Sequence, residues 1–527
     1  MHVLLLVLDI TLLLYFLNQG VKSSTKLVSF FAIIQLILYA IYLVVRVDSE
    51  LPLFLVDKLS IMMYFVINFV GGLIIIYALK YIDSENISQR KKNSFIAMLL
   101  FFVVVMNLIV SVDSIEVFFL LFELTTLCSY LLIKFREDEV AVSNALRALW
   151  MNQIGGVAIL ITLITSSIYY ETIYFSELLA RVDSEFIFIP IVFLIVAAYV
   201  KSATLPMQDW LLGAMVAPTP VSAILHSATM VKIAPFLILK ISVAFTPYIS
   251  LVVALFGAFV FLAASLMALN KDFFKEILGL STIALLSLMM SLAAMQNESA
   301  TNAAILLIVF HAISKALLFL QAGVLEKVHH VKYVSDIESL VHTAPKTLFF
   351  IIVGFASLTL PPFGIFVAKF MAIESINSLM STNPLYIIQL IFLVLGSVVL
   401  TILYFKVTTK LFYKNMLSEL KNEKLPWQYF IPSLMLCASL FVGMFFMTSF
   451  SNLTALDVLI PAILIFITPL LLYFISINKA VQTTPYNCGE KDKFLISSYY
   501  FSLSKEQTKV LLFISIIFIV LTILGGF

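Results

Sequence analysis

The chain has 527 residues, 62% of them hydrophobic and 12% charged, with a formal net charge of +2 and a mean hydropathy of +1.10. A soluble domain is about half apolar and about a quarter charged, so this composition excludes an ordinary soluble protein and points to a membrane. Near-neutral charge leaves no basic face for nucleic acid.

The N-terminal stretch "MHVLLLVLDITLLLYFL" lacks a basic leader and a small-residue cleavage site, so it is expected to be a retained first span. Sixteen apolar segments run along the chain, near 2–18, 25–46, 58–81, 94–112, 114–135, 147–168, 186–211, 219–244, 249–269, 272–293, 300–326, 345–380, 386–414, 428–450, 456–477 and 508–525. Segments of this length cross ~30 Å of hydrocarbon at ~1.5 Å per residue. Lysine and arginine gather after odd-numbered segments, for example Arg90, Lys91 and Lys92, then Lys134 and Arg136, then Lys271 and Lys275, then Lys327 and Lys332. These loops are therefore expected on the cytoplasmic side, with both termini outward. The gaps between segments are too short for a soluble catalytic domain of ~50 residues, so any redox chemistry must lie in another chain.

Two spans are interrupted. The seventh breaks at Pro206, soon after Lys201; the twelfth breaks at "LPPFG", with Pro361, Pro362 and Gly364, shortly before Lys369. They lie five spans apart, so the two helices cross in opposite senses. Broken helices at matching positions of two halves point to inverted repeats with an ion site at each break. The expected organisation is residues 1–92 for the first three helices, 93–245 for the first five-helix repeat, 246–415 for the second, inverted repeat, and 416–527 for the C-terminal helices. Proline strands a carbonyl that protein or water must satisfy, so each break favours a hydrated pocket.

An ionisable group inside a span costs ~3 kcal/mol on some scales and far more on others, which makes it a functional candidate. Glu123 lies near the middle of span five, with Lys201 as its natural partner. Lys232 lies mid-span in helix eight, preceded by His226. In "FHAISKALLFLQ" His311 and Lys315 stand at i and i+4, on one face of span eleven. Lys369 repeats the lysine of the first break in the second half. The alternative reading of Glu123 is a protonated, hydrogen-bonded packing group, and that of His226 is a helix cap or a hydrogen-bonded packing residue. His329 and His330 fall in a cytoplasmic loop and are expected to be solvated. No HxxxH or HExxH spacing and no cysteine cluster occurs, so neither a metal site nor a cofactor is expected.

The stretches "FELTTLCSYLLIKF", "KSATLPMQDWLLGAMVAPTPVSAILHSATMV", "HAISKALLFL" and "LPPFGIFVAKF" resemble the antiporter-like subunits of respiratory complex I, of Mrp-type sodium/proton antiporters and of energy-converting membrane-bound hydrogenases. The resemblance covers roughly residues 55–375. It implies fourteen core helices in two inverted five-helix repeats, with breaks in helices seven and twelve; together with the sixteen apolar segments, the expectation is an all-α polytopic protein with about 14–16 transmembrane helices. Carried over by position, Glu123 and Lys201 match the family's acid–lysine pair, His226 and Lys232 its mid-membrane relay, His311 and Lys315 the second-half relay, and Lys369 the lysine of broken helix twelve. There are departures: Leu212 and Gly213 stand where an acid is frequent, Leu307 where a further histidine is frequent, and Asp272 one place early. "HSATMVK" and "YNCGE" are most similar to the hydrogenase branch. The implied function is proton (or sodium/proton) translocation in a redox-driven complex of the cell (cytoplasmic/inner) membrane. The implied partners are other antiporter-like and small membrane subunits, and peripheral hydrogenase or oxidoreductase subunits carrying iron–sulfur clusters. A complex I-type or Mrp-type assembly is the alternative.

Overall fold

The computed structural model describes residues 53–181, 187–340, 343–361, 363–411, 423–446 and 503–525. In chain order its principal helices are α1 (Lys58–Asp83, with a π-helical turn at Val66–Val70), α2 (Gln89–Ile109), α3 (Ile115–Ile133), α4 (Glu139–Tyr170), α5 (Phe188–Lys201) and α6 (Asp209–Gly213). They continue with α7 (Thr219–Ser227), α8 (Ile233–Ile241), α9 (Pro247–Leu269), α10 (Phe274–Ala293), α11 (Glu298–Val328), α12 (Pro345–Thr359) and α13 (Gly364–Met380). The last are α14 (Tyr386–Leu411), α15 (Trp427–Phe446) and α16 (Lys505–Leu524). Among the described residues, eleven helical spans are long and apolar enough to cross a membrane, and β pairing is limited to three isolated bridges. The chain is an all-α, multi-pass membrane protein. The segments read near 2–18, 25–46 and 456–477, and the break residue Pro362, lie outside the described residues.

Polar residues at the span ends set the helix boundaries. Asp138 caps α4 by accepting from the Ala141 amide at 2.7 Å, and Asn297 caps α11 by accepting from Ser299 and Ala300. Such caps satisfy donors that have no intrahelical acceptor. The residue before each cap, Glu137 or Gln296, has a left-handed backbone (φ 61° and 51°). The residue just beyond the helix, Glu171 or His330, does too (φ 50° and 57°).

These pairs share a constant spacing of 159 residues, and the spacing extends to a tertiary clasp. Asp113 accepts from the Ser176 amide and hydroxyl at 3.1 and 2.5 Å; Asp272 accepts from the Ser335 amide and hydroxyl at 3.1 and 2.7 Å. The bridges Ser114–Tyr174 and Phe273–Tyr333 follow the same register. The first clasp lies at the start of α3. The far end of α3 meets the second clasp's end of the bundle, because Arg136 and Lys327 both pair with Glu85 (3.8 and 2.7 Å). The two clasps therefore lie at opposite ends of the bundle.

The span expected to be continuous over 219–244 is interrupted between α7 and α8. Thr229 leaves helical geometry (φ −120°, ψ −118°), and its amide and hydroxyl turn back to the Ile224 carbonyl at 3.2 and 2.7 Å. Lys232 thus sits at a break, not within a regular helix.

One loop expectation is corrected. His330 is exposed, but the side chain of His329 is only 10% accessible and meets Glu423 Oε1 at 3.0 Å. Glu423 also accepts from the Lys346 and Thr347 amides and from the Thr347 hydroxyl (2.8, 3.0 and 2.5 Å), tying the end of α11 to the start of α12. Burial opposes the Glu423 carboxylate, but the bonds from His329 and Thr347 outweigh it and hold this carboxyl below its ordinary value of 4.5. The resulting stability is present above that ordinary value and is lost as pH falls through the lowered one. Glu423→Gln is expected to cost about 1–3 kcal/mol. The check is a thermal melt of the purified protein, in which wild type and variant should converge under acid conditions.

Candidate functional site

The first break is closed by protein groups. Ser202 Oγ donates to the Ala198 and Tyr199 carbonyls (2.9 and 3.1 Å), and Trp210 Nε1 donates to Val200 O (3.0 Å), so side chains beyond α5 hold carbonyls of its last turn. Lys201, fully buried at the end of α5, points across to α3. Its ammonium donates to the Phe122 carbonyl at 3.2 Å and to Thr126 Oγ1 at 2.9 Å, and lies 3.8 Å from the Phe122 ring centroid.

Glu123 is not joined to Lys201 by an ion pair within 4.0 Å among the described residues. It lies one residue beyond Phe122, about 100° further round α3, and meets α4 instead: Gln153 Nε2 donates to its Oε2 at 2.6 Å. Oε1 has no hydrogen-bond partner within the protein. Glu123 is half-buried, and its surroundings on this flank are apolar and exposed: Leu120, Leu127, Trp150 and Val157.

At the centre, Lys232 Nζ lies 2.7 Å from His311 Nδ1 and 3.8 Å from the Met289 sulfur. This contact joins the α7–α8 break to α11. His311 and Lys315 share a helix face in sequence but serve different partners. Lys315 Nζ donates to Leu278 O at 3.0 Å and to Ser281 Oγ at 2.5 Å, both on α10. His226 is fully buried against the Phe319 ring (4.9 Å between centroids). Neither of its nitrogens, nor His311 Nε2, has a hydrogen-bond partner within the protein.

At the second break, α12 stops at Thr359 and α13 starts at Gly364, with Pro361 between. Lys369 reaches back from α13 and donates to the Leu358 carbonyl at 3.1 Å, a group the break leaves without its helical donor. A Cβ at Gly364 would collide with the Phe310 ring. The break therefore needs glycine to seat α13 against α11.

Residues 111–401 match the family described as "NADH:quinone oxidoreductase/Mrp antiporter, TM", and residues 52–90 match "NADH-Ubiquinone oxidoreductase (complex I), chain 5 N-terminus". The first match covers more than half of the chain. The protein belongs to the NADH:quinone oxidoreductase/Mrp antiporter family. Its relatives include the antiporter subunit mnhA2 of Staphylococcus aureus, 29% identical over an alignment of 458 residues that covers 80% of this chain and 55% of the relative. The Na(+)/H(+) antiporter subunit A1 of Staphylococcus haemolyticus is 29% identical over an alignment of 348 residues that covers 62% of this chain and 43% of the relative. The chain thus spans about half the length of the curated relatives it matches.

Within this family core, the 159-residue register exposes an exchange between the halves. Glu123 corresponds to Thr282, and Gly156 corresponds to Lys315. In the first half the ionisable side chain stands on α3 and fills the space left by Gly156 of α4, where a Cβ would collide with Glu123 Oε1. In the second half the ionisable side chain stands on α11 and meets Leu278 and Ser281 of α10. Each half thus holds one ionisable side chain at this helix contact, carried by the opposite helix. Gly156→Ala is expected to leave assembly intact while displacing the Glu123 carboxylate, and to lower ion transport in membrane vesicles. The check is vesicle transport normalised to the amount of assembled protein.

Sequence reading missed the groups that hold the lysines, Thr126 and Ser281, because hydroxyls in spans are common. It also missed the buried pair of Lys275 and Glu326, 2.7 Å apart. Both are near span ends, where a charge is unremarkable by position. No spacing signal relates them.

Proposed function

We propose that the chain is the ion-translocating subunit of a multi-subunit membrane assembly, moving protons, or exchanging sodium for protons, along a relay of Glu123, Lys201, His226, Lys232, His311, Lys315 and Lys369. The contact of Lys232 with His311 carries this reading: two fully buried basic groups meet at 2.7 Å, and among the described residues no carboxylate pairs with either within 4.0 Å. An ammonium and a neutral imidazole share one proton well at that distance; two cations would repel in a medium of low dielectric. The pair therefore holds a transferable proton. The duplicated clasps at opposite ends of the bundle support two inverted half-channels, over 93–245 and 246–415, meeting at this contact. Gln153, which holds Glu123 and is itself exposed on this apolar flank, supports a neighbouring membrane subunit at that side, because a polar amide facing lipid alone is costly.

Two readings of the driving force remain distinct. The names of the relatives support exchange driven by an ion gradient, as in an Mrp-type assembly. The stretches "HSATMVK" and "YNCGE" support a redox-driven assembly, a membrane-bound hydrogenase with iron–sulfur partners. Purification of the intact assembly separates them. Copurifying iron–sulfur and nickel subunits favour the hydrogenase; sodium-dependent proton movement in redox-free proteoliposomes favours the exchanger. A purified assembly that moves neither ion under either drive overturns the translocation reading.

A further inference from the structure

The relay leaves unused a charge pair at the end of the bundle that carries Lys91, Arg136 and Lys327, the cytoplasmic end by charge bias. Lys275, near the start of α10, lies 2.7 Å from Glu326, near the end of α11, with the two side chains only 6% and 12% accessible. Thr219 Oγ1, at the start of α7, donates to the same carboxylate oxygen at 3.0 Å. Two charges so enclosed are costly to desolvate, and replacing them by apolar residues is frequently neutral or stabilising, so packing alone gives no reason to keep them.

What lies behind the pair gives a reason. On α7, Ser222 and His226 follow Thr219 at spacings of three and seven, on one face. Ser222 Oγ and both nitrogens of His226 are buried without a hydrogen-bond partner in the protein. On α10, Gly279 stands one turn beyond Lys275, where a Cβ would meet Met215 Cε at 2.7 Å and Leu212 Cδ2 at 3.0 Å, with His226 Cε1 behind them at 3.7 Å. The same turn of α10 supplies Leu278 O and Ser281 Oγ to Lys315. Three helices thus converge on a seam from Glu326 to His226 and Lys315, polar along α7 and flanked by Met215 and Leu212 at Gly279. Buried polar atoms are rarely left unpaired, and water is the remaining partner for those in this seam.

We propose that the Lys275–Glu326 pair gates a hydrated proton path from the cytoplasmic end, along Thr219 and Ser222, to His226 and Lys315. The inference rests on the relay reading above. A proton from cytoplasmic water binds the Glu326 carboxylate and frees Lys275 from the pair. The resulting acid returns its proton, through water held by Thr219 and Ser222, to a ring nitrogen of His226. Glu326 is then a carboxylate again and re-forms the pair, so one proton has moved inward and the gate is unchanged.

The test uses the full chain with its partner subunits in membrane vesicles. Ser222→Cys is expected to react with a small, cationic, membrane-impermeant methanethiosulfonate from the cytoplasmic side only, above the background of Cys128, Cys437 and Cys488. Glu326→Gln is expected to lose proton transport and Glu326→Asp to retain much of it, since a passive packing role would favour the isosteric glutamine. An unreactive Ser222→Cys, reaction from the outer side alone, or wild-type transport by Glu326→Gln overturns the gate. If Glu326→Gln fails to assemble, the labelling pattern decides. Lys315→Ala serves as the internal reference. Loss of transport there, with wild-type transport in Glu326→Gln, removes the gate and keeps the relay; wild-type transport in Lys315→Ala removes the relay itself.

Discussion

Lys201→Ala is expected to abolish proton transport while the protein still inserts and assembles. The ammonium makes two hydrogen bonds to α3, to the Phe122 carbonyl and Thr126 Oγ1, and lies over the Phe122 ring. Phe122 O also accepts from the Thr125 and Thr126 hydroxyls at 2.7 and 3.1 Å, so it stays satisfied without the lysine. The structural loss is therefore near the low end of the ~1–3 kcal/mol for an orphaned buried group. That is small against the burial of a bundle this size, and insertion should survive. The functional loss is expected to be complete, because no other ionisable side chain of the proposed relay stands at the end of α5. Lys201→Arg sharpens the test: it keeps the charge, but a guanidinium does not release a proton in a protein. Transport by both variants at the wild-type rate, measured with a pH-sensitive dye in vesicles, would remove Lys201 from the relay.

Replacing either member of the central contact is expected to be as damaging as replacing both. Lys232 and His311 meet at 2.7 Å and join the α7–α8 break to α11. If the proton crosses from one half to the other at this contact, Lys232→Met, His311→Leu and the double variant should all fall to the same residual rate. Each loss is expected to be about a hundredfold or more, the scale on which a positioned proton-transfer group acts. Independent roles would instead give losses that multiply. A double-mutant cycle on initial transport rates reads the difference, because groups acting as one unit show strong coupling and separate sites do not. Multiplicative losses would place two separate paths in the chain and overturn a single axis through this contact.

Much of the membrane architecture was legible in the residues themselves. In the described residues, thirteen of the sixteen apolar segments meet a helix or a broken pair of helices near the expected limits. The two breaks fall where Pro206 and the "LPPFG" stretch put them. The ionisable residues also stand out in sequence, because a charge is rare and expensive in an apolar span, so each one marks itself against its background. The α7–α8 interruption did not, since Thr229 carries no proline-like signature and its helix ends by turning its own amide and hydroxyl back on Ile224.

What a side chain meets was decided only by packing. The residues alone suggested Lys201 with Glu123, yet one residue of rotation on α3 gives the lysine to Thr126 and the carboxylate to Gln153. His311 and Lys315 share a face, yet one joins Lys232 and the other joins Ser281. His329, expected in solvent, is held by Glu423 from a segment 94 residues away. The common 159-residue register was equally hidden, because the two halves keep the same clasps while exchanging Glu123 for Thr282 and Gly156 for Lys315. Composition, charge bias and helix breaks are properties of single segments, and the sequence by itself determines them. The azimuth of each helix, and hence every partner in the relay, is set by which small and large residues of distant segments fit together, and that exists only once the helices are packed.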